Sequence, residues 1–261
     1  MAKQYLNPPG LGEAEGHFSH GVRAGDTVWV SAQAGCDTLG RVVGAGDPVA
    51  QCRALFKRIG EILAAGGAKP SDVVMVRGFL KDRSVLQATW QVRKEFFAGH
   101  KPASTSFMVS DVATRGRAHE LRSRGHARLR TDMAKQFFDP PDVYAPVNIY
   151  SHGVRSGDKL TLAGQAPLAA DGSVVGPGDP GVQCQRVFSE LKKTLDLAGA
   201  TFADVVYVRA YVTRKHVLPM LREISAEIFG ANRPAFTPVI VPSVRAEGAL
   251  VEIELTVVFD E

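Results

Sequence analysis

Residues 133–141 read MAKQFFDPP and repeat, in the middle of the chain, the MAKQYLNPP of residues 1–9. A shift of 132 positions, from Met1 to Met133, superimposes the two stretches. The same shift aligns, without a gap, SHGVR at residues 19–23 and 151–155, GDP at 46–48 and 178–180, and PA at 102–103 and 234–235. Self-similarity at a fixed spacing is typical of a duplicated structural unit. The repeat predicts two domains, residues 1–132 and 133–261, and the repeated methionine indicates two coding units joined end to end.

Length and composition agree with two domains that each build a core. The chain has 261 residues, of which 45% are hydrophobic. It contains no apolar run of about 18 residues, and it opens with a polar, proline-bearing segment that does not resemble a signal peptide. We therefore expect a cytoplasmic protein without membrane association.

The cysteines and histidines give no sign of a metal or redox site. Cys52 and Cys184 are repeat equivalents on an apolar helix face, and Cys36 aligns with Leu168. This pattern predicts reduced, mostly buried thiols rather than disulfides or a catalytic cysteine. The seven histidines and three cysteines do not cluster at metal-ligand spacings, so we expect no metal and no cofactor.

Charge is divided unevenly between the two units. Residues 1–132 hold 19 Lys and Arg against 12 Asp and Glu, and residues 133–261 hold 12 against 15. The net charges are therefore +7 and −3, which together give the +4 of the whole chain.

Each unit begins with the pattern of a hairpin followed by a helix. Apolar-alternating runs flank the turns Gly25-Asp26 and Gly157-Asp158, as in a β-hairpin. In the GDP motif that follows, aspartate suits the helix N-cap and proline the first helical position. The apolar residues then recur at helical spacing and predict a buried face: Cys52, Leu55, Phe56, Ile59, Ile62 and Leu63 in the first unit, and Cys184, Val187, Phe188, Leu191 and Leu195 in the second.

The rest of each unit completes a two-layer fold. Valine-rich strands are predicted at residues 72–80 and 204–212, and second helices at 85–97 and 217–229. The closing strands are predicted at 105–112, 119–129, 237–244 and 250–259. The order ββαβαββ defines an α+β class, an α/β sandwich in which two helices cover one face of a mixed sheet. The other face needs a covering partner, which predicts oligomerisation.

The closing strand of each unit carries an alternating charged face. Its polar side is predicted to hold Glu120, Arg122, Arg124, His126, Arg128 and Arg130 in the first unit, and Glu252, Glu254 and Thr256 in the second. Two readings remain open: a solvated surface, or unlike units that meet so that their charges complement each other.

Several motifs together resemble the RidA/YjgF family of reactive enamine and imine deaminases. They are YSHGV at residues 150–154, LAGQAPL at 162–168, GAKPSDVVMVRGFL at 67–80 and GALVEIE at 248–254. The resemblance covers nearly the whole chain. It implies chorismate-mutase-like ββαβαββ domains, no cofactor, and trimers in which three sheets form a barrel with pockets between neighbouring units.

The chain departs from the family pattern at the residues that grip the substrate. Family deaminases bind the substrate carboxylate with an arginine after Pro-Ala, whose guanidinium makes a bidentate contact. Ser104 and Phe236 occupy that position here, and Trp90 and Arg222 replace the asparagine of the second helix. The resemblance therefore implies an arginine-less branch with poor activity on small 2-imino acids.

Two glutamates and two histidines are the catalytic candidates. Glu252 and Glu120 stand where the family places a carboxylate that activates water, with a structural ion pair as the alternative. His20 and His152 each follow a serine, but adjacent strand residues point to opposite faces and cannot form a Ser-His pair within one unit. A histidine that reaches a pocket, or a purely structural histidine, remains open for both.

The family's pocket positions also suggest which residues contact the substrate. Arg222 could grip a carboxylate from a new direction, or could pair with Glu223 or Glu227. The full substrate-binding set is Tyr150, Ser151, Gln165, Arg222, Phe236, Thr237, Phe18, Gln33, Ser104 and Thr105.

Three functions follow, in order of preference. The first is a small-molecule hydrolase or deaminase that acts on a C–N bond of an enamine, imine or amide-like metabolite. The second is a non-catalytic metabolite-binding or chaperone-like protein, which the two missing arginines favour. The third is an endoribonuclease; it ranks last because the arginines of residues 115–130 are not interleaved with aromatic residues, so nucleic acid is not an expected partner.

A barrel of three units cannot be closed by one chain that supplies two. Six units, from three chains, is the smallest number that satisfies both requirements, so we expect a homotrimer of chains. The charge difference predicts contacts between first and second units within a barrel.

Overall fold

The computed structural model describes residues 3–12, 19–109, 134–144, 149–232 and 234–259, and the backbone of 122–128. It divides into two compact units. One contains Met1–Pro102 and Asp111–Met133, and the other Ala103–Ser110 and Ala134–Glu261. Both units combine helices with a β-sheet, so the predicted α+β class is confirmed.

The first unit contains a five-stranded arrangement with two helices. Its elements are β1 (Lys3–Leu6), β2 (Gly21–Ala24), β3 (Thr27–Gln33), α1 (Pro48–Ala65), β4 (Val73–Leu80) and α2 (Leu86–Phe97). β5 (Ala103–Met108) follows in the chain but is grouped with the second unit, and β6 (Arg122–Arg128) returns to the first. The strand order within the first unit is β1-β2-β3-β6-β4.

The second unit repeats this plan. Its further elements are β7 (Gln136–Phe138), β8 (Gly153–Ser156), β9 (Lys159–Leu162), α3 (Pro180–Leu197), β10 (Val205–Val212), α4 (Val217–Phe229), β11 (Ala235–Ile240), β12 (Ser243–Val244) and β13 (Val251–Val258). The sheet order is β11-β10-β13-β9-β8-β7. β10 and β11 run parallel and the other paired strands of this sheet run antiparallel, as predicted for a mixed sheet.

The first helix of each unit begins at the predicted cap. The Asp47 carboxylate accepts hydrogen bonds from the amides of Val49 and Ala50, both at 3.0 Å. Asp179 does the same for the amides of Gly181 and Val182, at 2.9 and 3.1 Å. Each cap satisfies amides that have no partner within the helix. The apolar faces predicted for both helices are buried, and all three cysteines are free.

The structure differs from the predicted element order in two places. A short strand precedes the hairpin in each unit, and it adds an edge to the sheet by pairing antiparallel with β2 or β8. The predicted strand at residues 237–244 is divided into β11 and β12 around Pro242, because proline cannot donate to a ladder. β12 then pairs with β5 rather than with β10.

The core of the second unit lies between its helices and one face of the sheet. Leu191 of α3 and Leu221 of α4 pack with Ile253 of β13, and all three are fully buried. The alternation along β13 is as predicted: Val251, Ile253, Leu255 and Val257 face the helices. Glu252 and Glu254 therefore belong to the opposite face, where both are buried rather than solvated.

Candidate functional site

Glu252 is a buried carboxylic acid with one unsatisfied oxygen. It is the second residue of β13, in register with Tyr211 of β10, and only 2% of it is exposed. Its Oε2 atom has no hydrogen-bond partner among the described residues. Burial raises the pKa of Glu252 to about 7, although the charge and backbone amide of Arg245 act against the rise. An acid with such a pKa can both accept and release a proton near neutral pH.

Glu254 lies two residues further along the same face and is fully hydrogen-bonded. Its Oε1 accepts from Arg209 Nη1 at 3.2 Å and from the Tyr211 hydroxyl at 3.0 Å. Its Oε2 accepts from Thr105 Oγ1 at 3.0 Å. A buried carboxylate with donors on both oxygens is a positioning group, because its lone pairs are already engaged.

Thr105 connects Glu254 to Gly164. Its hydroxyl donates to Glu254 and accepts the Gly164 amide hydrogen at 2.9 Å. A Cβ atom at position 164 would collide with Glu252 Oε1 and would lie 2.8 Å from Thr105 Cγ2. Glycine is therefore required here by close approach, and it brings a backbone N–H beside the Glu252 carboxyl group.

His152 is buried and is held in one tautomer. Its Nδ1 accepts from Gln165 Nε2 at 3.1 Å, so the ring proton resides on Nε2. Burial lowers the pKa of His152 and outweighs the charges of Asp139 and Glu190, which act to raise it, so the imidazole is neutral at pH 7. Gln165 in turn exchanges two backbone hydrogen bonds with Ile253, the neighbour of Glu252.

A small cavity adjoins these residues. It has a volume of about 10 Å³, which is about the space of one water molecule. Its polar lining is Tyr144, Tyr150, His152, Gln165, Glu190 and Arg245. Tyr150 meets His152 edge-on, with ring centroids 5.8 Å apart. Glu190 is buried on α3, where Arg186 and Lys193 bind one of its oxygens.

The structure brings together about half of the predicted site residues. Glu252, His152, Gln165, Tyr150 and Thr105 belong to the cluster described above. Ser151 is buried and its hydroxyl has no partner among the described residues, and its backbone forms a bridge with Ala103, next to the buried Ser104.

The other predicted residues lie elsewhere. Arg222 and Phe236 line a separate cavity, and Thr237 is exposed on β11. In the first unit, His20 Nε2 contacts the Gly12 carbonyl at 3.3 Å, and Gln33 Oε1 accepts from Arg58. Glu120 and Phe18 fall outside the described residues, as do the side chains of the basic strand face.

The sequence prediction missed Arg245, Gly164 and Glu190. A comparison of the repeats could have marked two of them. Position 164 aligns with Ala32, and position 190 aligns with Arg58, which reverses the charge. Arg245 lies in the connection before β13 and follows no periodic pattern that would single it out.

No metal centre or membrane segment accompanies this cluster in the described part of the chain. No three His, Cys, Asp or Glu residues there are grouped to hold a metal ion. None of the helices described has both the length and the hydropathy that crossing a bilayer requires.

Comparison with known proteins assigns the chain to a family. The family model described as Endoribonuclease L-PSP matches residues 11–121 and 142–259, so the chain belongs to this family, and it is a tandem RidA/YjgF protein. RutC family proteins of Pyrococcus abyssi and Pyrococcus horikoshii are 30% and 31% identical over 122 and 109 residues. These alignments cover 47% and 42% of this chain and 95% and 86% of the relatives.

Solved structures match in the same way, over about half of the chain. A putative endoribonuclease of Thermotoga maritima is 27% identical, with a TM-score of 0.46, and the match covers 49% of this chain and 100% of the other. A YjgF/YER057c/UK114 family member of Mycobacterium tuberculosis is 30% identical, with a TM-score of 0.42, and the match covers 48% of this chain and 99% of the other.

Proposed function

We propose that this protein hydrolyses a C–N bond of a small enamine, imine or amide-like metabolite, with Glu252 as the group that activates water. The observation that carries the proposal is the buried Glu252 carboxyl group, whose Oε2 is unsatisfied and whose pKa is about 7. Perturbed acids of this kind are characteristic of catalytic sites.

The reaction for an imine needs only proton transfers. Ionised Glu252 takes a proton from water as the water oxygen attacks the carbon of the protonated imine, which gives a neutral carbinolamine. Glu252 returns this proton to the carbinolamine nitrogen and then takes the hydroxyl proton as the C–N bond breaks. The carbonyl forms, and the leaving ammonia takes the last proton from Glu252 and departs as ammonium. The cavity of about 10 Å³ that His152, Gly164 and Gln165 line has room for one water molecule.

The neighbouring residues support this role because the Arg245 amide donates to the Glu252 carboxyl group and Gly164 approaches it closely. Glu254, Thr105 and Gly164 form a continuous hydrogen-bonded chain along one side of it. Neutral His152 carries its proton on Nε2 and can donate to a bound oxygen or nitrogen, because Gln165 occupies Nδ1.

The test is ammonia release from a panel of enamines, imines and amides. Glu252→Gln keeps the shape but removes the base, so we expect kcat/KM to fall by about 10²-fold or more. Glu247→Gln is the matched control, because Glu247 is exposed in the loop before β13 and should leave the rate unchanged. Equal rates for wild type and Glu252→Gln on every active substrate would disprove the proposal.

A non-catalytic metabolite-binding role is the second candidate. It is favoured by the Thr105 hydroxyl, which already occupies the amide of Gly164, a residue that approaches Glu252 closely. Ser104 and Phe236 also lack the guanidinium that family deaminases use. A protein of this kind would bind members of the panel without releasing ammonia from any of them.

A further inference from the structure

A second cavity of the second unit lies on the opposite face of its sheet from Glu252. It has a volume of about 460 Å³ and opens between α4 and the start of β11. Phe236 contributes to it and packs against the core on the helix side of the sheet. Strand alternation places Glu252 on the other face, so the cavity is not an extension of the proposed catalytic site.

One stripe of α4 forms a wall of this cavity. Arg222, Ser225, Ala226 and Phe229 line it and follow the spacing that puts side chains on a single helix face. Arg222 is exposed and forms no ion pair or hydrogen bond with a described residue. Glu223 and Glu227 lie one and five positions along the helix, and side chains at these spacings do not face each other. The Arg222 guanidinium is thus available to a ligand.

The other lining residues indicate that the rest of the ligand is apolar and aromatic. Phe229, Pro234 and Phe236 present rings and apolar surface, and polar atoms make a small part of the wall. A volume of about 460 Å³ accommodates an aromatic ring with a short chain. The guanidinium at the mouth complements a carboxylate, which it can bind through two parallel hydrogen bonds.

We propose that the cavity between α4 and β11 is a binding site for aromatic carboxylic acids. The carboxylate binds Arg222, and the ring packs against Phe229 and Phe236. This site goes beyond the proposed hydrolysis and does not require it.

The test is isothermal titration calorimetry of the full chain with 3-phenylpropionate. Two matched probes separate the contributions: 3-phenylpropionamide keeps the ring without the charge, and propionate keeps the charge without the ring. Each should bind about tenfold more weakly than 3-phenylpropionate, as expected for loss of a charge-assisted contact or of ring burial.

Variants locate the site. Arg222→Gln should weaken 3-phenylpropionate about tenfold and leave the amide unaffected. Lys215→Gln removes the same charge from an exposed position outside the cavity lining and should change neither affinity. Ser225→Leu fills the cavity and should abolish binding of both ring-bearing probes, with far-ultraviolet circular dichroism as the check on folding.

The outcomes separate this proposal from the catalytic one. Glu252→Gln should bind 3-phenylpropionate as the wild type does, whether or not hydrolysis is lost. Absence of saturable binding to the wild type, or equal losses in Arg222→Gln and Lys215→Gln, would overturn the acid-binding site and leave the hydrolase proposal standing.

Discussion

Two glutamates on one strand experience opposite environments. Glu254 receives hydrogen bonds on both carboxylate oxygens, whereas one oxygen of Glu252 receives none from the described residues. Both are almost fully buried, so the difference arises from donors and not from depth. The lack of donors, together with burial, favours the protonated form of Glu252.

Stability should therefore depend on pH through Glu252. The pKa of Glu252 is about 7 in the folded protein, against an ordinary value of 4.5 for glutamate. Between these pH values the unfolded chain loses the proton and the folded chain keeps it, so the free energy of unfolding falls as pH rises and levels off above pH 7. Above pH 7 the free energy of unfolding should be lower than at acidic pH by on the order of 3 kcal/mol. Glu252→Gln should abolish this decrease.

Urea denaturation of wild type and Glu252→Gln at pH 4.5 and pH 8 measures this effect. The variant should be more stable than the wild type at pH 8, and the difference should largely vanish at pH 4.5. Glu247→Gln, at an exposed position, should show no such dependence. A stability difference that is the same at both pH values would contradict the raised pKa.

Gly164 should tolerate no side chain. Its Cβ would collide with Glu252 Oε1 and Thr105, so Gly164→Ala should destabilise by about 1–3 kcal/mol and lower any activity. Gly181→Ala is the control, because a Cβ there meets its nearest neighbours at 3.3–3.7 Å. Thermal unfolding of the two variants makes the comparison, and equal transition temperatures would contradict the packing argument.

One helix position has exchanged charge between the repeats. Arg58 of α1 donates to the carbonyls of Leu11 and Cys36 in the first unit. Its repeat equivalent is Glu190, and the carbonyl of Leu168 is instead bound by Arg186, one turn earlier on α3. In both units an arginine therefore binds carbonyl groups of the connection before the helix. This arginine is Arg58 in the first unit and Arg186 in the second.

The helices that support the site depend on their aspartate caps. Asp179 accepts two amide hydrogen bonds at the start of α3, the helix that carries Glu190. Asp179→Ala should lower the free energy of unfolding by about 1 kcal/mol. Asp196→Ala, which breaks an exposed pair with Lys192 on the same helix, should cost only about 0.5 kcal/mol or less. Chemical denaturation would contradict the cap assignment if the two losses were equal.

Local patterns predicted these elements well because their causes are local. The Asp-Pro signal placed the starts of α1 and α3, and valine density placed β10. The strand alternation correctly put Glu252 opposite the core. It could not reveal that Thr105 and Gly164 would meet beside it, because that contact joins residues 59 positions apart. The division at β11 and β12 was also missed, since it depends on where Pro242 interrupts the ladder.

At the scale of the whole molecule, β11 leaves one edge unpaired in the described sheet. It is the last strand in its order, and Val239 and Ile240 on it are 37% and 54% exposed. Its repeat equivalent, β5, pairs with β12 at its last two residues, Phe107 and Met108. Exposed apolar edges invite pairing with another chain. We expect a second copy of the protein to cover β11 within the trimer that the sequence predicts.

Light scattering coupled to gel filtration tests the assembly. The wild type should have three times the mass of one chain, and Ile240→Lys should shift the mass towards the monomer because it places a charge in the covered edge. Leu197→Lys changes an equally exposed leucine at the end of α3 and should leave the trimer intact. A wild-type monomer would contradict the trimer, and identical masses for both variants would contradict the role of β11.

The placement of β5 shows that the duplicated sequence segment and the compact folded unit have different boundaries. The duplicated segment extends through residue 132, yet Ala103–Ser110 is grouped with the second compact unit. A gene cut at the repeat boundary would produce a second half without Thr105. The Gly164 amide would then lose its Thr105 acceptor, and Glu254 Oε2 would lose its Thr105 donor. The fused gene therefore guarantees, in a single translation product, a contact that two separate genes would have to re-establish by encounter. Recombination that exchanges the two halves would therefore have to preserve the contacts of β5, which the repeat boundary at residue 132 does not mark.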